Sequence, residues 1–241
     1  MIKRIVWLVS ILVLVFGLGT GAWATSYVGE ISGVDSTVGS SVGLTATDGW
    51  SGAFLHWFVD DVTNPGHWTY DYHFYTYSEK GISHVITEVS LNFTGNNIKD
   101  GTTSGWELQT YGEAQGGSNP GILGDVFGLK WEGLSNVPTT PEAYTGSYWK
   151  WTIVTDRAPM WGDFYAKDGV ENPQGEDKID VYAYNTGFGF DTTATIGGGN
   201  AYNATTDRAW VLVPDTTSIP EPTTLLLLGF GLIGLAGFRR R

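Results

Sequence analysis

The chain has no cysteine among its 241 residues, which excludes disulfide stapling, thiolate metal ligands and cysteine nucleophiles. Positive charge is scarce as well, with 13 Lys and Arg against 25 Asp and Glu. The imbalance is concentrated between Thr25 and Ser218, where 24 acids and 8 bases leave a formal charge of about −16. Such a surface repels phosphate backbones, whose affinity comes from Lys and Arg displacing counterions, so a nucleic acid partner is excluded. Long apolar runs and stripes of period 3.6 are also missing from this stretch, which argues against a helical body.

Glycine and aromatic residues are plentiful. The 34 glycines are about twice ordinary usage, and aromatics make up 14% of the chain. In WTYDYHFYTY, Trp68, Tyr70, Tyr72 and Phe74 alternate with Thr69, Asp71, His73 and Tyr75, the period-two signature of a strand with one aromatic face. HVITEVSLNF is read in the same way, with Val85, Val89, Leu91 and Phe93 on one face, and the two segments are expected to pair as a hairpin or to be neighbours. Further strands are expected at 53–59, 124–131, 147–155, 162–167, 178–185 and 209–213, separated by Gly, Pro and Asn turns. Residues 25–52 are small and polar and are expected to be an exposed lead-in. The fold class predicted is all-β, an antiparallel, jelly-roll-like β-sandwich spanning residues 25–218 as one domain.

The two ends differ from this body. Lys3 and Arg4 precede an apolar stretch from Ile5 to Leu18, and Ala22-Trp23-Ala24 follows it. This is the pattern of a secretory signal peptide over residues 1–24, cut after Ala24 with Ala22 and Ala24 as the small-residue site; it implies the secretion translocon as a partner. At the other end, the apolar run from Leu225 to Phe238 is followed by Arg239, Arg240 and Arg241. It is expected to form a short transmembrane helix, with the arginines held on the cytoplasmic side and the body outside the inner membrane.

Pro220-Glu221-Pro222, the apolar segment with GLIGLAG and the terminal arginines together resemble the PEP-CTERM sorting signal of Gram-negative bacteria that make extracellular polysaccharide. The resemblance covers residues 219–241. It implies recognition of the Pro-Glu-Pro motif by exosortase, a membrane protease-transpeptidase, and a chain anchored transiently in the inner membrane before reaching the cell surface or medium. The family usually has Val before the motif, where this chain has Ile219. APMWGDFYAKDG, residues 158–169, resembles a stretch that recurs in the bodies of some proteins sorted in this way, and implies no activity.

Two catalytic-looking patterns fail on context. GFGLIG, residues 229–234, fits a dinucleotide-binding loop but lies in the apolar tail with no βαβ unit around it. GSSVG, with Ser41 at its centre, lacks the strand and helix that a nucleophile elbow requires. Four histidines, His56, His67, His73 and His84, fall close together, and His67, Asp71 and His73 share parity; they are read as polar-face residues rather than zinc ligands. Asp168, Glu171, Glu176, Asp177 and Asp180 supply oxygen ligands of the kind calcium takes, without EF-hand spacing, and are read as a solvated loop with Ca2+ as the candidate ion.

Trp149 and Trp151 alternate with Tyr148 and Lys150 on one strand, and whichever face is exposed is the candidate sugar-binding surface. The function expected is a non-enzymatic structural or adhesive role at the cell surface, with extracellular polysaccharide as the partner. A carbohydrate-binding module and, more weakly, a secreted glycan hydrolase are the alternatives; no carboxylate pair is singled out among 25 acids.

Overall fold

The structure, a computed structural model, describes residues 24–33, 43–47, 50, 52–76, 81–113, 119–138, 147–168, 180–192, 196, 203 and 206–218. The signal segment before residue 24, Ser41, Glu171, Glu176, Asp177 and residues 219–241 lie outside them. Among the described residues there is no α-helix, and no helix is long and apolar enough to cross a membrane.

Thirteen strands follow one another: β1 (Ser26–Gly33), β2 (Gly43–Ala46), β3 (Phe54–Asp60), β4 (Trp68–Thr76), β5 (His84–Glu88), β6 (Trp106–Tyr111), β7 (Val126–Glu132), β8 (Asn136–Pro138), β9 (Ser147–Thr155), β10 (Arg157–Gly162), β11 (Phe164–Lys167), β12 (Tyr182–Asn185) and β13 (Val211–Ser218). Eleven form one curled sheet in the order β6-β7-β5-β11-β12-β2-β1-β3-β4-β9-β8, while β10 and β13 form a separate two-stranded ribbon. Every pairing is antiparallel except that of β1 with β2. The all-β expectation holds, and the two layers of the sandwich come from a single sheet folded over the ribbon.

The curl brings the two ends of the sheet together. Residues 98–103 run along β9, with Lys99 N–H donating to Val154 O at 2.8 Å and Thr103 N–H to Thr152 O at 2.9 Å. Three residues later the same segment becomes β6, at the opposite end of the strand order. Trp131 of β7 closes the seam by donating its Nε1–H to Thr103 O at 3.0 Å. Glu132 to Asn136, which connects β7 to β8, can span at most about 14 Å, so this second crossing requires the same proximity.

Alternation builds the core. Tyr70, Tyr72 and Phe74 of β4, Leu55, Trp57 and Val59 of β3, and Trp151 and Ile153 of β9 all point inward and are essentially fully buried. The ribbon lies on this inner surface. Tyr72 donates its hydroxyl to Leu212 O at 2.7 Å and Tyr70 donates to Arg157 O at 2.8 Å. Trp161 meets Trp57 edge-on with centroids 6.5 Å apart.

Three expectations are corrected. Residues 25–52 are no exposed lead-in: β1 lies in the middle of the sheet, and Ile31, Leu44 and Trp50 are fully buried. Small residues are used here for packing, since a Cβ on Gly29 would overlap the Trp57 indole. β4 and β5 do not pair; β4 sits between β3 and β9, and β5 between β7 and β11. Finally, the strand from His84 stops at Glu88, after which Phe93 N–H turns back to Ser90 O at 2.8 Å and leaves Leu91 85% exposed.

Candidate functional site

The inward direction of Trp57, Tyr72 and Trp151 dictates what their neighbours show to solvent, because successive strand residues point to opposite faces. Register across β1, β3, β4 and β9 then aligns the outward residues in rows. Ser32, Phe54, Tyr75 and Tyr148 form one row, Glu30, His56, His73 and Lys150 the next, and Val28, Phe58, Asp71 and Thr152 the third. Six of these residues carry rings.

The first row is a ladder. Phe54 stacks on Tyr75 with centroids 4.4 Å apart, and Tyr75 on Tyr148 at 4.9 Å. Phe54, at one end of the ladder, is only 4% exposed. His73 leans on Tyr148 at 5.2 Å and on Phe58 at 5.6 Å, joining the ladder to the third row. There Phe58 and its cross-strand partner Val28 are 38% and 56% exposed, an apolar surface left to solvent on a strongly acidic protein.

The polar groups of the face are held in pairs. The Asp71 carboxylate accepts from Thr152 Oγ1 at 2.9 Å and from Lys150 Nζ at 2.7 Å, with His73 Nε2 3.3 Å away. Burial pushes this carboxyl up, but His73, Lys150 and Thr152 outweigh it and hold it below the usual carboxylate range. His56 contacts the Glu30 carboxylate. The face therefore combines exposed apolar surface with oriented donors and acceptors whose charges largely cancel.

The sequence-derived candidates divide on this geometry. Tyr148 and Lys150 belong to the outward face. Trp149 and Trp151 are 3% and 0% exposed, and Trp151 donates its indole N–H to Thr87 Oγ1 at 3.0 Å inside the core; neither indole offers a face to a sugar. His73 and Asp71 adjoin, whereas His67 precedes β4 and lines a shallow pocket of about 450 Å3 with Asn64, Lys99 and Asp100. His84 is buried against Asn119, with Nε2 and Oδ1 2.9 Å apart, and burial, with Lys130 nearby, lowers its pKa to about 4. Asp168 is buried, and its N–H donates to Val181 O. Asp180 Oδ1 lies 3.8 Å from Lys167 Nζ. Among the described residues no three His, Asp or Glu gather as metal ligands.

One polar cluster has no counterpart among those candidates. Asp163, between the ribbon and β11, accepts from Asn185 Nδ2 at 2.9 Å and from Gly189 N–H at 2.7 Å. Asn185 in turn accepts from Phe164 N–H and donates to Ala209 O. Burial, together with the Asp163 carboxylate, raises Glu88 to about 7, and burial raises Asp163 to about 6. Nothing in the local sequence marks this pair, because Glu88 and Asp163 lie 75 positions apart.

No curated protein and no solved structure matches the chain. A family model does, over residues 218–241, the stretch that holds Pro220, Glu221, Pro222 and the three terminal arginines. That motif marks an exported chain, anchored transiently in the membrane before surface display, with exosortase as its processing partner. By this match the chain carries the PEP-CTERM protein-sorting motif at residues 218–241.

Proposed function

We propose that the chain is a non-enzymatic structural or adhesive protein of the extracellular polysaccharide layer. It leaves through the secretion translocon, and exosortase then cuts the tail near Pro220-Glu221-Pro222 and frees the β domain to the layer. The observation that carries the adhesive part is the outward face of β1, β3, β4 and β9, where the cross-strand neighbours Phe58 and Val28 leave adjoining apolar surface in water, as interaction sites do. The role requires no cofactor, calcium at Asp168 and Asp180 included.

The test is to compare the native host with and without its exosortase, and with the tail after Ser218 deleted, following intact mass and cell fraction. The processed chain should co-purify with the polysaccharide layer only when enzyme and tail are both present. An uncut, membrane-held chain in every strain would overturn the proposal.

The raised carboxyls of Glu88 and Asp163 favour one second reading, a secreted glycan hydrolase, since a raised acid is what protonates a leaving group. Asp163 has both oxygens occupied by Asn185 and Gly189, an arrangement suited to holding strands together. Absence of glycan turnover by the purified protein would dismiss this alternative.

A further inference from the structure

The adhesive reading leaves open where and what the domain holds. We propose that the outward face of β1, β3, β4 and β9 is a binding site for an uncharged polysaccharide chain, with Phe58 and Val28 supplying the apolar contact and the Asp71–Lys150 pair the hydroxyl contacts. The proposal rests on the adhesive reading and adds a site and a ligand class to it.

Four observations lead there. Phe58 and Val28 are side by side and exposed, while in the ladder Tyr75 has both faces taken up by Phe54 and Tyr148. The ladder bounds the face on the far side of the His56 and His73 row. An aromatic face attracts the polarised C–H groups of a pyranose, because its own quadrupole is negative above the ring. Next to it, Asp71 and Lys150 sit on adjacent strands 2.7 Å apart. Such a pair offers an acceptor and a donor at the spacing of neighbouring sugar hydroxyls, already oriented by Thr152. Pairing them in advance lowers the ordering cost of binding.

Charge selects the class of glycan. Lys150 is matched by Asp71, and His56 by Glu30, so the face carries no surplus positive charge for a uronate or sulfated polymer. The body around it has a formal charge of about −16, which repels polyanions and second copies of the chain alike. An uncharged polymer escapes this repulsion. Three rows across four strands span about 14 Å, which accommodates a short run of sugar residues and suits contact with a polymer more than with a monosaccharide.

The experiment uses the full chain in detergent and measures its retardation in gels carrying β-glucan, galactomannan or alginate. Retardation by at least one uncharged polymer, insensitive to salt and absent with alginate, is expected. Phe58→Ala and Lys150→Ala should each weaken it by about tenfold, with melting lowered by no more than a few degrees, whereas Leu91→Ala, at an exposed apolar site off the face, should not. Preference for alginate, or full retention by Phe58→Ala, would overturn the assignment. If neither uncharged polymer retards the chain while it still co-purifies with its host's polysaccharide layer, the site and ligand class fall and the adhesive reading survives. Loss of that co-purification as well would remove both.

Discussion

The Asp163 backbone N–H donates to Glu88 Oε2 at 2.7 Å, fastening the corner between β10 and β11 to the end of β5. The Glu88 carboxyl is raised to about 7 by burial and by the Asp163 carboxylate, and Asp163 to about 6 by burial. Ordinary values are 4.5 and 3.8, so between about pH 4 and pH 7 this pair binds more protons in the native state than in the unfolded chain. The pair's contribution to stability therefore falls as pH rises through that window, while His84, lowered to about 4, contributes in the opposite direction.

The first prediction follows from this sign. The Tm of Glu88→Gln relative to the parent chain should rise from mild acid towards about pH 8, because the comparison cancels the opposing contribution of His84. Glu88→Gln keeps an oxygen acceptor for Asp163 N–H and removes the titration, and it should stabilise the protein by about 2 kcal/mol at the alkaline end. A Tm difference between variant and parent that stays flat from mild acid to about pH 8 would refute the account.

A second prediction separates the two faces of β9. Trp151→Phe removes the bond to Thr87 Oγ1, leaves that hydroxyl buried without its donor and opens a void, for a cost of about 2–4 kcal/mol. Tyr148→Ala and Lys150→Ala act on the outward face and should cost about 1 kcal/mol or less. Urea unfolding of the three variants tests the contrast; equal losses would mean that the inward and outward assignments are wrong.

Tyr72→Phe provides a third. Its hydroxyl bond to Leu212 O ties the ribbon to β4, and deletion should cost about 1–2 kcal/mol because the carbonyl stays buried. Amide exchange should quicken first in β10 and β13, with β3 and β4 still protected. Uniform acceleration across the sheet would count against a separately held ribbon.

The fourth concerns Gly29. A Cβ there overlaps the Trp57 indole, so Gly29→Val should destabilise by about 2–3 kcal/mol through overpacking. Gly81→Ala, at a site with open space around it, serves as the control. Similar melting of the two variants would show that Trp57 has room to move.

How far these features could be read from the sequence depends on what each strand faces. β4 was legible because one side is core and the other is not, so Tyr70, Tyr72 and Phe74 alternate cleanly with polar partners. β5 was also read as alternating, yet its expected polar side is covered, and His84, Val85, Ile86 and Thr87 are all buried. β1 and β2 were missed since Gly29, Ser32, Gly33 and Ala46 look like linker, although Gly29 is small to admit an indole. The candidate face was half visible. That Tyr148 and Lys150 oppose Trp149 and Trp151 follows from parity, but which pair faces out depends on the curl of the whole sheet. The row of His56, His73 and Lys150 further needs the register of β4 against β9, which no local pattern encodes. Glu88 and Asp163 pair through tertiary contact alone.

The ribbon strand β13 ends at Ser218, where the sorting motif begins. A chain held by its tail and gripped at the outward face would thus be loaded along β13. Its pairing with β10, in register from Gly162↔Val211 to Pro159↔Pro214 and shifted before Arg157↔Ser218, would then carry the load. The Tyr72 hydroxyl bond and the Trp161 contact add lateral grip, so the fold delivers tension from the membrane into the centre of the domain, where its packing is deepest.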